Sequence, residues 1–279
     1  MTSSQQVALV TGTSSGMGMH AAIQLAQAGH EVVATMRSVA KSGALQKAAE
    51  AVGVSVDVRA LDVTDDDQAR SVVGSVIADY GQIDLLVNNA GQGLVGTIEE
   101  LSLDGLRSQI ELNYIAVARM TQLVLPSMRL RRSGRIVTVT SVGGVVGQPF
   151  NEAYCASKFA TEGFMESLAP VAAQFGVHVS VVEPGAVATE FVANLRDSWE
   201  AAEAGVYRDL FAAYVRRTEA AFTNAQTAAE AGAAIVEACT AESPQLRYQT
   251  SSAARAFATA KLSDVDGSTI QGITRQWVV

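Results

Sequence analysis

The feature that most constrains this chain is a rhythm. Short β-branched or apolar runs recur along it, and longer stretches of helical character lie between them. The runs at 7–10, 31–35, 55–60, 83–87, 135–139 and 177–182 have strand length. They are nearly continuous in apolar character rather than alternating with polar residues, which suits burial on both faces of a parallel sheet. Residues 16–27, 65–79, 103–131 and 152–175 have the lengths of crossover helices. Such crossovers are right-handed, so the alternation predicts an α/β fold with a doubly wound parallel sheet. Pro170 falls inside the last of these helices, where a proline removes a backbone hydrogen bond, so the helix is expected to bend or end there. The Ala-rich stretch 193–227 predicts helices lying over the end of the sheet. With no linker in view, a single domain is expected over 1–279, with a core over 5–192 and a C-terminal helical cap over 193–279.

Composition narrows the class further. With 48% hydrophobic and 17% charged residues the chain can bury a large core, which excludes intrinsic disorder. Twenty Lys plus Arg against 28 Asp plus Glu give a net charge of -8, the wrong sign for nucleic acid or an anionic membrane surface. Arg129, Arg131, Arg132 and Arg135 cluster locally, and a solvated helix end accounts for them. Cys155 and Cys239 cannot build a disulfide framework, and no CxxC or clustered histidine offers a metal site, so a reducing, cytoplasmic setting is expected. His20, His30 and His178 are scattered and read as packing or surface residues. Residues 2–30 carry no formal charge, yet Gly12, Gly16 and Gly18 interrupt them, so neither a membrane span nor a basic signal peptide is expected.

The first chemical signal is Thr11-Gly12-Thr13-Ser14-Ser15-Gly16-Met17-Gly18, directly after one expected strand and opening a helix. Glycines there permit a tight turn, and a helix N-terminus offers free N–H groups to a pyrophosphate. By itself the pattern also fits an ordinary glycine turn. After the second strand, an NAD-type dinucleotide site places a carboxylate against the adenosine ribose; here the chain reads Thr35-Met36-Arg37. Arg37 could instead pair with a 2′-phosphate, helped by the Ser14 and Ser15 hydroxyls, so NADP(H) is expected over NAD(H).

The second signal is Ser141 followed by Tyr154 and Lys158. Residues at i and i+4 share one helix face, and an ammonium beside a phenol is expected to lower the phenol's pKa toward neutrality. The phenol then serves as acid or base, while a serine hydroxyl steadies charge on the substrate oxygen. Alone, each residue has an ordinary structural reading.

Taken in order, Thr11-Gly12-x-x-x-Gly16-x-Gly18, Asn88-Asn89-Ala90-Gly91, Ser141 and Tyr154-x-x-x-Lys158 resemble the short-chain dehydrogenase/reductase family over residues 5 to about 192. The resemblance implies a Rossmann-type core with Ser141, Tyr154 and Lys158 as catalytic residues. It implies that Asn113 holds a relay water near the lysine, that Asp62 and Val63 meet the adenine, and that Asn89, Ala90 and Gly91 steady the cofactor. Pro184, Gly185, Val187 and Thr189 match the loop that grips the nicotinamide carboxamide. Where the family often has Asn-x-x-Gly, this chain has Ala116. Residues 141–144, 149–160 and 246–248 resemble 17β-hydroxysteroid dehydrogenase type 1 and related retinol dehydrogenases. No histidine follows His178, and Gln276 stands where that steroid enzyme has a glutamate, so estrogen specificity is not expected.

The sequence therefore predicts an NADP(H)-dependent oxidoreductase for a lipophilic ketone or aldehyde and its alcohol. Guided by the resemblance, Val142, Gln148, Phe150, Val192 and Phe222 are the expected substrate contacts, with Arg217 or Gln276 meeting a polar far end. A homodimer or homotetramer is expected through the 103–131 and 152–175 helices. The alternatives are a cofactor-binding regulatory protein without turnover and an epimerase or dehydratase of the same superfamily.

Overall fold

The computed structural model describes residues 5–189 and 205–279. Along the chain come β1 (Val7–Thr11), α1 (Gly16–Gln27), β2 (Glu31–Met36), α2 (Gly43–Ala51), β3 (Asp57–Ala60), α3 (Asp66–Tyr80), β4 (Leu85–Asn88), α4 (Leu103–Ile110), α5 (Ala116–Arg131), β5 (Gly134–Val139), α6 (Glu152–Ala173) and β6 (Val177–Glu183). Then follow β7 (Val187–Ala188), α7 (Arg208–Thr223), β8 (Gln226–Thr227), α8 (Ala228–Thr240), β9 (Arg247–Gln249), α9 (Ser252–Leu262) and α10 (Ser268–Arg275). Seven strands form one sheet in the order β3-β2-β1-β4-β5-β6-β9, with every pair parallel.

Strand residues alternate between two cores because successive side chains point to opposite faces. Val7, Leu9, Val33, Leu86, Ile136 and Val179 pack beneath α3, α5 and α6, which contribute Val73, Val76, Met120, Met128 and Met165. Ala8, Val10, Val32, Ala34, Val87 and Val137 face the other side, where Ala22, Leu25, Leu45, Ile235 and Ala238 arrive from α1, α2 and α8. This double burial explains why the strands read as unbroken apolar runs. Each fully buried Leu or Ile in such layers stabilises the fold by roughly 1.5–3 kcal/mol. The strand order reverses between β1 and β4, and ligands of such sheets bind outside the carboxyl ends of the strands at that point.

Several expectations change in detail. The 103–131 segment is not one helix: α4 and α5 are joined by a π turn over Glu111–Ile115. Helix α6 does not end at Pro170 but continues to Ala173, because a proline in the last turn forfeits a single backbone bond. The arginine cluster is not merely solvated. Arg131 donates to the Ile83 carbonyl at 2.7 Å, Arg132 to that of Gln174 at 3.0 Å and Arg135 to that of Ala241 at 2.6 Å. Among the described residues no helix is long and apolar enough to cross a membrane.

Candidate active site

The glycine loop folds as it does because two close approaches leave no room for a side chain. Gly12 has φ +70°, and a β-carbon there would lie 2.7 Å from the Ala90 Cα. At Gly18 it would lie 2.2 Å from the Asn89 amide nitrogen and 2.5 Å from the Gly12 carbonyl oxygen. Asn89 Nδ2 donates to the carbonyls of Thr11 and Gly12, both at 2.9 Å. The Thr11 hydroxyl accepts from the backbone N–H groups of Asn89 at 3.0 Å and Ala90 at 3.1 Å. These bonds staple the β4 exit to the loop after β1.

Ser15 caps α1 without a side-chain capping bond, so the first turn presents its N–H groups outward. A cleft of 620 Å³ opens there, lined by Ser14, Ser15, Gly16, Thr189 and Phe222 among others. Thr189 reaches the loop: a β-carbon at Gly16 would lie 3.5 Å from its methyl group. Pro184 anchors the start of that segment, its carbonyl accepting from the Val142 N–H at 3.0 Å, and Val187 is buried. Gly185 follows Pro184 and packs near Ala254. Met17 packs partly against the second core. Arg37 is exposed immediately after β2. Asp62 accepts from the Thr64 N–H at 3.0 Å and hydroxyl at 2.7 Å, and Val63 is buried beside it. Free N–H groups at the first turn of α1 and the Ser14 and Ser15 hydroxyls beside them in the cleft fit the pyrophosphate of a dinucleotide.

Beyond the glycine loop, the carboxyl end of β5 meets α6. Ser141 lies just past β5, in extended backbone with φ 179°, and shares a hydrogen bond with Tyr154. Lys158 is buried and donates to the Val139 carbonyl at 3.0 Å. Its Nζ lies 5.9 Å from the centre of the Tyr154 ring. Asn113 is fully buried in the π turn, donating to the Gln92 carbonyl at 2.9 Å and the Ser157 hydroxyl at 2.9 Å. Its own carbonyl accepts from the Thr161 hydroxyl at 2.8 Å. Gly91 ties the two halves together: a β-carbon there would lie 3.0 Å from Asn113 Oδ1 and 3.5 Å from Lys158 Nζ.

The electrostatics differ from the expectation for Tyr154. Burial pushes its phenol up, the Ser141 hydrogen bond opposes this, and the lysine does not bring it down toward neutrality. Burial is the largest influence, and the Lys158 ammonium, which donates to a β5 carbonyl, is not among the groups that shift the phenol. Burial also lowers Lys158 to about 8, with the Glu162 carboxylate working against it. Cys155, beside Tyr154, is buried and pushed up to about 11, which keeps it an inert thiol.

Of the expected substrate contacts, Val142 is buried next to Ser141, and Gln148 is half-buried in the segment leading to α6. Phe150 adopts φ +60°, unusual for a bulky residue, and its carbonyl accepts from the Gly96 N–H at 2.9 Å. Its ring packs edge-on to Phe211 at 5.1 Å and against Tyr214 at 5.4 Å, under α7. Phe222 stands apart from these, lining the cleft at the glycine loop. Val192 lies outside the described residues. The Arg217 guanidinium rests over the Trp277 ring at 5.2 Å, beside Gln276 in the last turn. Sequence reasoning missed Phe211 and Tyr214, and the buried polar set around Asn113 formed by Gln109, Ser157 and Thr161. Their signal was faint, because Phe211 and Tyr214 reach Phe150, and Ser157 and Thr161 reach Asn113, from elements distant in sequence.

Comparison with known proteins agrees with this geometry. The family model for short chain dehydrogenase matches residues 6–200. Retinol dehydrogenase 8 of Bos taurus is 39% identical over 281 residues, covering 96% of this chain and 88% of that protein. Estradiol 17-beta-dehydrogenase 1 of Rattus norvegicus is 40% identical over 272 residues, covering 94% and 78% respectively. A crystal structure of a short-chain dehydrogenase from Streptomyces avermitilis superposes with a TM-score of 0.79 at 34% identity, covering 99% of each chain. A metagenomic short-chain oxidoreductase in complex with NADP matches with a TM-score of 0.62 at 34% identity over 66% of this chain and 84% of its own. A short chain dehydrogenase/reductase from Burkholderia phymatum in complex with NAD matches with a TM-score of 0.81 at 26% identity over 94% of each. The chain belongs to the short chain dehydrogenase family.

Proposed function

We propose that this protein is an NADP(H)-dependent oxidoreductase that interconverts a lipophilic ketone or aldehyde with its alcohol. The observation that carries the reading is the convergence of Ser141, Tyr154 and Lys158 at the end of β5, with Gly91 bridging from the glycine loop to the lysine. Ser14, Ser15, Gly16 and Met17 would hold the pyrophosphate at the α1 N-terminus, and Gly12 and Gly18 let this loop pack against Asn89 and Ala90. Asp62 and Val63 would meet the adenine, Asn89 and Ala90 the middle of the cofactor, and Pro184, Gly185, Val187 and Thr189 the carboxamide. When bound, the nicotinamide supplies a hydride to the carbonyl carbon or takes it back from the alcohol.

The residues of the chain manage the proton. In reduction the Tyr154 phenol donates to the carbonyl oxygen, and Ser141 donates a second hydrogen bond that steadies the developing charge. Lys158 supplies positive charge beside the phenol, and Asn113 fixes the neighbouring backbone. Val142 and Phe150, backed by Phe211 and Tyr214, give the substrate an apolar wall, which favours a bulky hydrocarbon skeleton. The free, buried Cys155 and Cys239 fit a reducing cytoplasmic setting.

Cofactor choice rests on Arg37, which stands where a carboxylate would repel a 2′-phosphate. The unmodified protein is expected to bind NADPH more tightly than NADH in fluorescence titrations. Arg37→Asp swaps a charge-assisted bond for repulsion, so it should weaken NADPH at least about tenfold and erase the preference. Equal affinities before mutation would contradict the assignment. Assembly follows from exposed apolar residues on α4 and α6: Leu103 is 65%, Phe159 41% and Val171 59% exposed. Light scattering at micromolar concentration should give a homodimer or homotetramer. A monomer would contradict it.

A further inference from the structure

The end of β5 grips α6 at three successive turns. The Ser141 hydroxyl bonds Tyr154, the Val139 carbonyl takes Lys158 at 3.0 Å, and the Thr140 hydroxyl lies 2.5 Å from Oε1 of Glu162. Tyr154, Lys158 and Glu162 are four residues apart, so they stack along one helix face. The Val182 carbonyl accepts the Thr140 N–H at 2.8 Å and lies 3.0 Å from the Thr140 hydroxyl, so that hydroxyl is held between the carbonyl and the carboxylate. The second oxygen of Glu162 faces Arg247 Nε on β9 at 3.3 Å. The same Nε lies 3.2 Å from Glu183 on β6, and Arg247 Nη2 pairs with Glu166 at 2.7 Å.

Glu162 is 5% exposed and Glu183 is fully buried, so two carboxylates share one guanidinium inside the protein. Burying charge is costly, and a buried ion pair seldom repays the cost in stability, so the arrangement calls for another reason. The neighbouring cation is Lys158, itself buried, one turn away on the face of α6 that Glu162 shares. Glu162 has little room to swing aside. A β-carbon at Gly144 would lie 3.0 Å from its Cγ and 3.1 Å from the Lys158 carbonyl oxygen.

We propose that Glu162 is a positioning residue for Lys158, its carboxylate anchored by Thr140 and Arg247 so that it stands as the fixed counter-charge to the buried ammonium. The inference rests on the role given to Lys158 in the proposed reaction. The ring of Tyr154 lies beside the lysine and Glu162 is the charge that acts on it, while Glu183 on β6 and Arg247 on β9 act on Glu162 in turn. Burial lowers Lys158 to about 8, and Glu162 is the group that opposes this. Glu162 is lifted to about 7 by burial and by Glu183, while Thr140 and Arg247 hold it down. Deleting the carboxylate therefore lowers the lysine further and leaves it partly neutral near pH 7.

The chain has four lysines, Lys41, Lys47, Lys158 and Lys261, so their carbon-13-labelled ε-carbons can be followed individually by NMR as pH is raised. Lys158→Arg assigns the signal. Glu162→Gln keeps the side-chain shape and should move the Lys158 midpoint down by about one pH unit or more. Thr140→Val, which removes only the anchor, should move it the same way by less, and it decides the matter if Glu162→Gln fails to fold. Neither cofactor nor turnover enters this titration, so an inactive chain would overturn the proposed function without touching this result. An unchanged Lys158 midpoint in the folded variants overturns the proposal.

Discussion

Tyr154→Phe is expected to lower kcat for carbonyl reduction by about 100- to 10,000-fold, the range a single general acid supplies. The ring stays in place and only the hydroxyl goes, so the fold loses one hydrogen bond to Ser141, worth about 1 kcal/mol. NADPH affinity and Tm should hardly change. Lys158→Met should instead damage both turnover and cofactor binding, because the ammonium borders Gly91 and the cofactor segment. Direction matters as well. With burial pushing the phenol up, Tyr154 remains protonated at neutral pH and is ready to donate. Alcohol oxidation needs the phenolate, so its rate should climb as pH rises, while carbonyl reduction should not. A Tyr154→Phe variant keeping most of its kcat would mean that another group donates the proton.

Much of this framework was legible in the sequence, for a physical reason. A strand buried on both faces must be apolar throughout, and the runs at β1, β2, β4, β5 and β6 satisfy that and were found. β9 escaped because Arg247–Gln249 is three residues long, with only Tyr248 buried. Helix α2 escaped because it buries only Leu45 and Ala49. The π turn that seats Asn113 depends on one extra residue per turn, which no side-chain pattern announces. The glycine loop, Ser141, Tyr154 and Lys158 were readable because their spacing is local. The charge cluster was not, because Glu162 looks like any helical glutamate until Arg247 is brought to it from the last strand.

The second large effect concerns substrate class. Phe150, Phe211 and Tyr214 form an aromatic cluster under α7, and no histidine follows His178 to receive a phenolic hydroxyl. Apolar substrate surface buried against such a wall is worth ~0.8 kcal/mol per methylene, so a few matched groups separate a polycyclic ketone from a sugar by roughly 100-fold. Arg217, expected to meet the far end of the substrate, rests over the Trp277 ring, and a guanidinium favours an anionic acceptor over a neutral phenol. The most direct test is NADPH consumption by the purified protein, read as kcat/KM across retinal, aromatic polycyclic ketones, estrone and small sugars. Retinal or a polycyclic ketone should lead, with estrone well behind and sugars near background. A clear lead for estrone would contradict the specificity argument, a lead for sugars would contradict the apolar site, and no consumption with any carbonyl would contradict the proposed chemistry itself.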